Sequence, residues 1–255
     1  MTLSDTLVFQ SYRRTSVSPW LQSCIDSVGA WADGQGHDYR LLDDSFFDIV
    51  PGWYVARCGA ERLPVTDLAR LLWAQRFLSE GWRRVIWLDA DVLVLDPAFA
   101  LGRDAPHALG REYWLWRDEA GALAGRWAIN NCVMQFTAES PLLAFYIHGC
   151  EAVVRAAATV HRLAVGPTLL TALNAAVPLP LIPDLATLSP VLIDEIARRG
   201  GEAVAAHAAA WGAPVRAVHL CRSIVAGTGG PALIEEERVV AAVARLRWEP
   251  VPLGI

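Results

Sequence analysis

The sequence predicts an α/β fold organised as one domain over residues 1–255. The chain opens with a strand–helix–strand pattern, which favours a parallel, Rossmann-like first half. A later apolar run over residues 84–95 is typical of a buried strand, yet it contains two carboxylates, Asp89 and Asp91. A length of 255 residues is enough for one sizeable core, and no segment has the composition of a linker or an internal repeat.

The strand–helix–strand opening occupies the first 42 residues. Residues 6–12 are rich in β-formers and predict the first strand. Pro19 predicts a helix that runs to about residue 31, because proline is well tolerated at the first helical position. Glycines end this helix, and residues 37–42 predict the second strand.

The next segment leads into the strand that carries the carboxylates. Residues 45–64 are irregular, and Thr66 is the predicted N-cap of an apolar helix over 67–80. Asp67 and Arg70 are three residues apart and share a face of that helix. Because the strand follows directly, we expect the first turn of the helix to lie near the carboxyl end of the sheet, where ligands gather in open α/β folds.

The second half of the chain alternates predicted strands and helices. Asn130 and Asn131 place two amides inside one apolar run, and His219 lies near the end of a short strand. The remaining predicted elements are strands over 107–116, 127–136 and 215–220, helices over 141–158, 191–210 and 234–248, a helix that begins at 167, and an extended segment over 177–190.

Composition excludes several classes of function. The net charge of −5 gives no electrostatic footprint for nucleic acid. All 22 basic residues are arginine, so an anion must be held by arginine, by backbone N–H groups or by a metal. Five scattered cysteines without a C-x-x-C motif predict reduced thiols. With no apolar run of bilayer length and no signal-peptide pattern, we expect a cytoplasmic protein, and the arginines of the last helix leave open a peripheral contact with the inner face of a membrane.

Asp89 and Asp91 are the predicted metal ligands. Burying an unpaired carboxylate is costly, so carboxylates in an apolar run are usually paired or bound to a metal. Mn²⁺ and Mg²⁺ prefer oxygen ligands and keep positions open for water or phosphates. We expect the strand to end at or near Asp89, so that the turn lets at least one carboxylate reach the metal. Asp91 is the expected direct ligand, and Asp89 is expected to act through water or to bind ribose.

Several segments in this order resemble those of GT-A glycosyltransferases with an Asp-x-Asp motif. The similarity is to the group with capsular polysaccharide transferases and initiating mannosyltransferases, and also to the glycogenin and lipopolysaccharide galactosyltransferase group. It covers roughly residues 60–222 and implies a GT-A fold, with a mixed central sheet flanked by helices. The segments that carry it are residues 66–70, 87–92, 130–134 and 166–171, followed by His219 where a late histidine is expected.

The resemblance implies a function and a role for each motif residue. The function is metal-dependent transfer of a hexose from a UDP- or GDP-linked sugar to a saccharide, lipid-linked or protein acceptor, with retention, as in polysaccharide biosynthesis. The cofactor would be Mn²⁺ or Mg²⁺. The implied metal ligands are Asp89, Asp91 and His219. The implied contacts with the donor come from Asp67, Arg70, Asp89, Trp127 and Arg222, where Arg222 takes the place of a lysine. Asn130 and Asn131 would place the acceptor hydroxyl.

Structural interpretations of these residues remain open beside the functional ones. Asp67 fits a helix N-terminus, where the dipole favours an acid, and His219 fits a hydrogen-bonded strand histidine. Trp114, Trp116 and Trp127 are candidates to stack on a sugar or to pack at the rim of the core. Two other functional classes also remain: a haloacid-dehalogenase-like phosphatase, which carries D-x-D after an apolar strand, and a non-catalytic protein that binds a nucleotide sugar.

Overall fold

The computed structural model describes residues 4–102, 104–227, 233–249, 251 and 253–254. A six-stranded mixed sheet forms its centre, with the order β2-β1-β3-β6-β5-β7. These strands are β1 (Thr6–Ser11), β2 (Asp38–Leu42), β3 (Arg84–Leu88), β5 (His107–Arg117), β6 (Leu123–Thr137) and β7 (Leu181–Ile182). β1 pairs in parallel with β2 and with β3, whereas β6 is antiparallel to both β3 and β5. The predicted α/β class and parallel opening are confirmed.

A three-stranded sheet of order β4-β9-β8 adjoins the carboxyl end of β3. Its strands are β4 (Val92–Val94), β8 (Leu185–Thr187) and β9 (Ala217–His219). β9 is antiparallel to β4 and parallel to β8. This small sheet matters for the site because it pairs His219 with Val92, the residue after Asp91.

Eight named helices pack around the sheets within the described residues. They are α1 (Pro19–Gly34), α2 (Gly52–Cys58), α3 (Arg62–Ser79), α4 (Pro141–Ala156), α5 (Pro167–Ala176), α6 (Pro190–Ala197), α7 (Glu202–Trp211) and α8 (Glu236–Trp248). Among the described residues, no helix is both long and apolar enough to cross a membrane. All five cysteines are buried, and none of them forms a disulfide bond in the structure.

Residues 85–88 of β3 are all apolar because both faces of the strand are covered. Val85 and Trp87 belong to the same buried cluster as Leu68 and Phe77 of α3. Ile86 and Leu88 belong to another cluster, which includes Val28 of α1. Alternate side chains therefore enter two different cores, as expected for a central strand of an α/β sheet.

The start of α3 differs from the prediction. The helix begins at Arg62, so Thr66 is inside the first turns and is not the N-cap. Pro64 explains the difference, because proline is tolerated in the first turn, where the N–H groups have no intrahelical partner. The Thr66 hydroxyl donates instead to the Arg62 carbonyl at 3.1 Å. Part of the segment predicted as irregular is also helical, over Asp44–Ile49 and Gly52–Cys58.

Candidate metal centre

Asp89 and Asp91 lie in the short turn that joins the two sheets. β3 ends at Leu88, β4 begins at Val92, and the Val92 N–H donates to the Asp89 carbonyl at 3.0 Å. The expectation that the strand ends at Asp89 is confirmed. Because the turn breaks the alternation of a strand, both carboxylates are free to face the same side of the chain.

His219 joins the two carboxylates through the pairing of β9 with β4. Its Nε2 lies 3.4 Å from Asp91 Oδ1 and 3.7 Å from Asp89 Oδ2. The ligand atoms of the three residues all lie within 4.8 Å of one another. Neighbouring ligands of an octahedral Mn²⁺ or Mg²⁺ are separated by about 3 Å, given metal–ligand distances of roughly 2.0–2.2 Å. The three side chains are therefore close to the spacing that a divalent cation requires.

Electrostatics distinguish the two carboxylates. Burial opposes ionisation of Asp91, but His219 and the backbone N–H of Arg222 outweigh it and hold the pKa of Asp91 below its ordinary value. Burial raises the pKa of Asp89, although Arg70 opposes the rise. Burial also disfavours a charged His219, but Cys132, Cys221 and Asp91 together raise its pKa well above the ordinary value. Asp91 is thus the more firmly ionised acid, as a direct metal ligand should be.

The donor set fits a divalent cation. Two carboxylates and one imidazole are suitable ligands for Mn²⁺, and the open positions would serve phosphate oxygens. Cys221 Sγ lies 3.5 Å from His219 Nδ1, so Nδ1 has a partner while Nε2 faces the acids. Thr187 is paired with His219 in the small sheet, and its buried hydroxyl has no hydrogen-bond partner within the described residues. Thr187 lies on the strand next to His219, and an unsatisfied buried hydroxyl there is consistent with a further polar group near His219.

Asp89 is held from behind by a buried arginine. Arg70 Nη1 lies 2.9 Å from Asp89 Oδ1, and the Trp87 indole N–H donates to the same oxygen at 2.7 Å. The guanidinium also lies over the Trp87 ring, 5.1 Å from its centroid, and Arg70 Nη2 is 3.1 Å from Asp67 Oδ1. Asp67 and Arg70 are each only 4% exposed. The structure therefore brings both residues to Asp89, and their direct contact with a donor stays a prediction.

Asn131 belongs to the same buried network. Its amide donates to Asp67 Oδ1 at 2.8 Å and lies 3.3 Å from the Tyr146 hydroxyl, which donates to the Val165 carbonyl. Burial raises the pKa of Asp67 to about 6, while Arg70 and Asn131 oppose the rise. Gly166 closes the network, because a Cβ there would lie 2.9 Å from Asp67 Oδ2. The Gly-Pro segment thus packs directly on the Asp67 helix.

Asn130 has different partners from Asn131. Its amide donates to Glu112 Oε2 at 2.7 Å, and its Oδ1 accepts from the Cys132 N–H at 2.8 Å. Glu112 is 7% exposed, and burial raises the pKa of its carboxyl. Because neighbouring side chains of a strand point to opposite faces, the two asparagines serve opposite sides of β6.

Arg222 follows His219 closely and contributes its backbone to the centre. Its N–H donates to Asp91 Oδ2, and its guanidinium lies 5.3 Å from the centroid of the Tyr12 ring. Arg13 lies over the same ring at 5.7 Å. Two arginines therefore flank Tyr12, just beyond the carboxyl end of β1.

Trp127 is not brought into contact with the metal cluster. It stacks on Trp211 of α7 with a centroid distance of 5.4 Å and lies 4.9 Å from the Tyr113 ring. The guanidinium of Arg111 covers both indoles. Trp127 is 45% exposed, and its contact with a donor stays a prediction.

Four residues around the site were missed by the sequence interpretation. Gln10 of β1 donates to the Asp89 carbonyl at 3.0 Å, and Trp87, Glu112 and Tyr146 make the contacts described above. Gln10 gave a usable signal, because it is a polar residue near the carboxyl end of an apolar strand. Glu112 gave none, because a carboxylate between arginine and tyrosine in a strand is typical of a solvated face.

Comparisons with known proteins bear on the fold alone. No protein-family model and no curated protein matches the sequence. The solved structures to which the chain is similar include a glycosyltransferase involved in the glycosylation of the major capsid of PBCV-1, at 13% identity over 85% of this chain and 94% of that chain, with a TM-score of 0.47. They also include the galactosyltransferase LgtC in complex with donor and acceptor sugar analogs, at 16% identity over 96% and 97% of the two chains, again with a TM-score of 0.47.

A Drosophila beta-1,4-galactosyltransferase 7, solved with manganese, UDP-Gal and xylobiose, is more distant. Its identity is 13% over 52% of this chain and 48% of that chain, with a TM-score of 0.27. Similarities at this level leave the function to be argued from the geometry of the site.

Proposed function

We propose that this protein is a metal-dependent glycosyltransferase that moves a hexose from a UDP- or GDP-linked sugar to a saccharide, lipid-linked or protein acceptor, with retention of configuration. The observation that carries the proposal is the convergence of Asp89, Asp91 and His219 at the carboxyl end of β3. Ligands of open α/β sheets bind at this edge. The implied cofactor is Mn²⁺ or Mg²⁺. A cytoplasmic location and a peripheral membrane contact stay predictions.

Asp91 and His219 are the proposed direct ligands of the cation. Asp91 is the more firmly ionised acid, and His219 presents Nε2 to it at 3.4 Å. Asp89 is held by Arg70 and Trp87, which fixes one oxygen and leaves Oδ2 facing His219. When bound, the cation supplies Lewis-acid neutralisation of a departing diphosphate.

Arginine replaces lysine as the second source of positive charge. Arg222 and Arg13 both lie over Tyr12 at the edge of the sheet where the cluster sits. A guanidinium binds phosphate oxygens in a bidentate manner, so two arginines are a sufficient anion site in a chain without lysine. Asn130, held by Glu112, is proposed to orient the acceptor hydroxyl.

The phosphatase alternative is disfavoured by the surroundings of Asp89. A nucleophilic carboxylate needs an oxygen free to attack phosphorus, whereas Asp89 Oδ1 already accepts from Arg70 and Trp87 and its Oδ2 faces His219. Of the two strands beside β3, β6 is antiparallel to it, so the sheet is not uniformly parallel. A non-catalytic protein that binds a nucleotide sugar would show the same nucleotide affinity, but it would neither hydrolyse the donor nor transfer its sugar.

A thermal-shift screen tests the proposal. UDP, GDP and their sugars are each added with Mn²⁺, with Mg²⁺ and with EDTA. A nucleotide at about 100 times its Kd stabilises the folded state by about 2.7 kcal/mol, which raises the Tm of a domain of this size by several degrees. We expect the shift only with a divalent cation, and we expect it to disappear in Asp91→Asn.

Asp96→Asn is the matched control. Asp96 lies five residues further along, accepts from the Ala98 N–H and pairs with Arg216 near the surface. It should keep the full metal-dependent shift. If no nucleotide raises the Tm of the wild type with any cation, the proposed donor site is wrong. Hydrolysis of p-nitrophenyl phosphate with Mg²⁺ and without nucleotide binding would instead support a phosphatase, and binding without donor hydrolysis or transfer would support a binding protein.

A further inference from the structure

The hairpin of β5 and β6 has two faces with different surroundings. Residues paired directly across an antiparallel hairpin share a face. One face carries Tyr113 and Trp127, which pack on Trp211 of α7. The opposite face, here called the tryptophan face, consists of Glu112, Trp114 and Trp116 of β5 and their partners Ala128, Arg126 and Ala124 of β6.

The tryptophan face begins beside the metal centre. Its inner end is Glu112, which is bonded to Asn130, and Asn130 in turn accepts from the Cys132 N–H. The Cys132 carbonyl accepts from the Asp89 N–H at 2.7 Å. A chain of hydrogen bonds therefore leads from Asp89 of the metal centre through Cys132 and Asn130 to Glu112 of the hairpin.

Exposure increases stepwise along this face. Glu112 is buried, Trp114 is half-buried, and Trp116 near the tip of the hairpin is 38% exposed. Arg126 is exposed and lies opposite Trp114. Glu112 is thus screened from water, Trp114 packs partly against the core, and Trp116 at the outer end is open to a ligand.

This combination matches the chemistry of a saccharide. A pyranose ring presents C–H groups on its faces and hydroxyls around its edge. The π face of an indole is negative and packs against the weakly positive C–H groups, while a carboxylate and a guanidinium bind hydroxyls. The cross-strand partners of Glu112 and Trp116 are the small residues Ala128 and Ala124. A nucleotide, by contrast, would meet only one arginine here and a carboxylate that repels its phosphates.

We propose that the tryptophan face binds the acceptor as a saccharide, with sugar rings on Trp114 and Trp116 and with Glu112 accepting a hydrogen bond from the acceptor hydroxyl nearest the metal centre. This inference rests on the proposed function and narrows its acceptor class to a glycan of at least two residues. The spacing supports the length, because residues 112 and 116 are four positions apart on a strand and hence about 13 Å apart, which exceeds one sugar ring.

A glycan array tests the saccharide site directly. Labelled wild type is applied with Mn²⁺ and UDP or GDP to an array of neutral and charged oligosaccharides. We expect a defined set of bound glycans, and we expect Trp116→Ala to bind them about 10-fold more weakly, which corresponds to about 1.4 kcal/mol. Trp116→Phe should recover most of the binding because it keeps an aromatic face. Glu112→Gln should bind the same glycans more weakly while it remains folded.

Trp248→Ala is the matched control, because Trp248 is an 80% exposed tryptophan at the end of α8. It should bind glycans like the wild type. All variants should keep the metal-dependent nucleotide shift, and loss of that shift in the wild type would count against the proposed function alone. Absence of glycan binding by the wild type, or equal binding by Trp116→Ala, overturns the inference. A dimer that dissociates on Trp116→Ala, without a change in glycan binding, would make this face an interface between copies of the chain and would also overturn it.

Discussion

Arg70 Nη1 lies 2.9 Å from Asp89 Oδ1, and the same guanidinium lies 3.1 Å from Asp67 Oδ1. One buried arginine therefore pairs with two acids, the buried Asp67 and the partly exposed Asp89 of the metal centre. Arg70 Nη1 also donates to the Asn131 carbonyl at 2.7 Å, which ties helix α3 to β6. The geometry makes Arg70 a positioning residue for Asp89.

Arg70→Met should be strongly destabilising, because it leaves the buried Asp67 without a counter-charge and takes the arginine partner away from the partly exposed Asp89. The expected loss is about 3–5 kcal/mol of unfolding free energy, and a folded fraction should bind Mn²⁺ more weakly. Urea denaturation and metal titration measure the two effects. Arg76→Ala on the same helix breaks an exposed pair with Glu80 and a contact of the guanidinium with the Trp73 ring, and it should cost about 1 kcal/mol or less. Equal losses would show that the Arg70 network adds nothing.

His219→Ala should weaken Mn²⁺ binding by at least about 10-fold, since it removes one of the three proposed ligands. Isothermal titration of the metal, with EDTA-treated protein as the starting state, gives the affinity directly. His148→Ala changes an exposed histidine of α4 and should leave the affinity unaltered. Unchanged Mn²⁺ binding in His219→Ala would remove His219 from the proposed ligand set.

Gly166→Ala should destabilise the protein, because the new Cβ would lie 2.9 Å from Asp67 Oδ2 and 3.2 Å from Asn131 Nδ2. Forcing a methyl group into a packed polar network costs about 1–3 kcal/mol. Gly34→Ala, by contrast, should not lower the stability of the protein. Gly34 ends helix α1 with open space at its Cβ, so alanine should be neutral or stabilise by up to about 1 kcal/mol. Thermal denaturation of both variants compares them, and a neutral Gly166→Ala would contradict the packing.

Stability should fall in mild acid through His207. Burial and the nearby Arg111 lower the pKa of this imidazole, although its Nδ1 donates to the Leu253 carbonyl. The unfolded chain therefore takes up a proton near pH 6.5, before the folded state does, and stability falls as the pH drops through that value until it reaches the lowered pKa of the folded state. The maximum slope is about 1.4 kcal/mol per pH unit.

His207→Phe isolates this contribution. The ring stacks on Trp211 at 5.0 Å, so phenylalanine keeps the stacking and removes the titration. Urea denaturation between pH 8 and pH 5 should show a shallower loss of stability in the variant than in the wild type. Identical slopes would mean that His207 takes up a proton as readily in the folded state as in the unfolded chain.

The acids of the metal centre were predictable from sequence because they interrupt an apolar strand. The position of Asp67 and Arg70 beside Asp89 was also predictable, since a helix that leads directly into β3 packs against it. The start of that helix was not, because Pro64 reads as a breaker and is in fact tolerated in the first turn. Local signals of this kind identify elements better than they place their ends.

Contacts between residues far apart in the sequence were harder to predict. The approach of His219 to Asp91 depends on the pairing of β9 with β4, two strands of three residues each, and their apolar sequences do not encode a partner. The burial of Glu112 likewise depends on the register of β5 against β6. The motif resemblance indicated His219 but missed Glu112. Hydrophobic periodicity alone could not show that either residue lies near the acids.

Asn130 and Asn131 point to opposite faces of β6, so substitutions on the two faces should have different effects. Changes on the side of Asn131 disturb Asp67, Tyr146 and the fold itself. Changes on the outer part of the other side, at Ala124, Arg126 and Ala128, alter a surface without entering the buried network. A combinatorial library confined to those three positions would therefore redirect acceptor choice while the scaffold stays intact, which makes this hairpin a practical starting point for engineering.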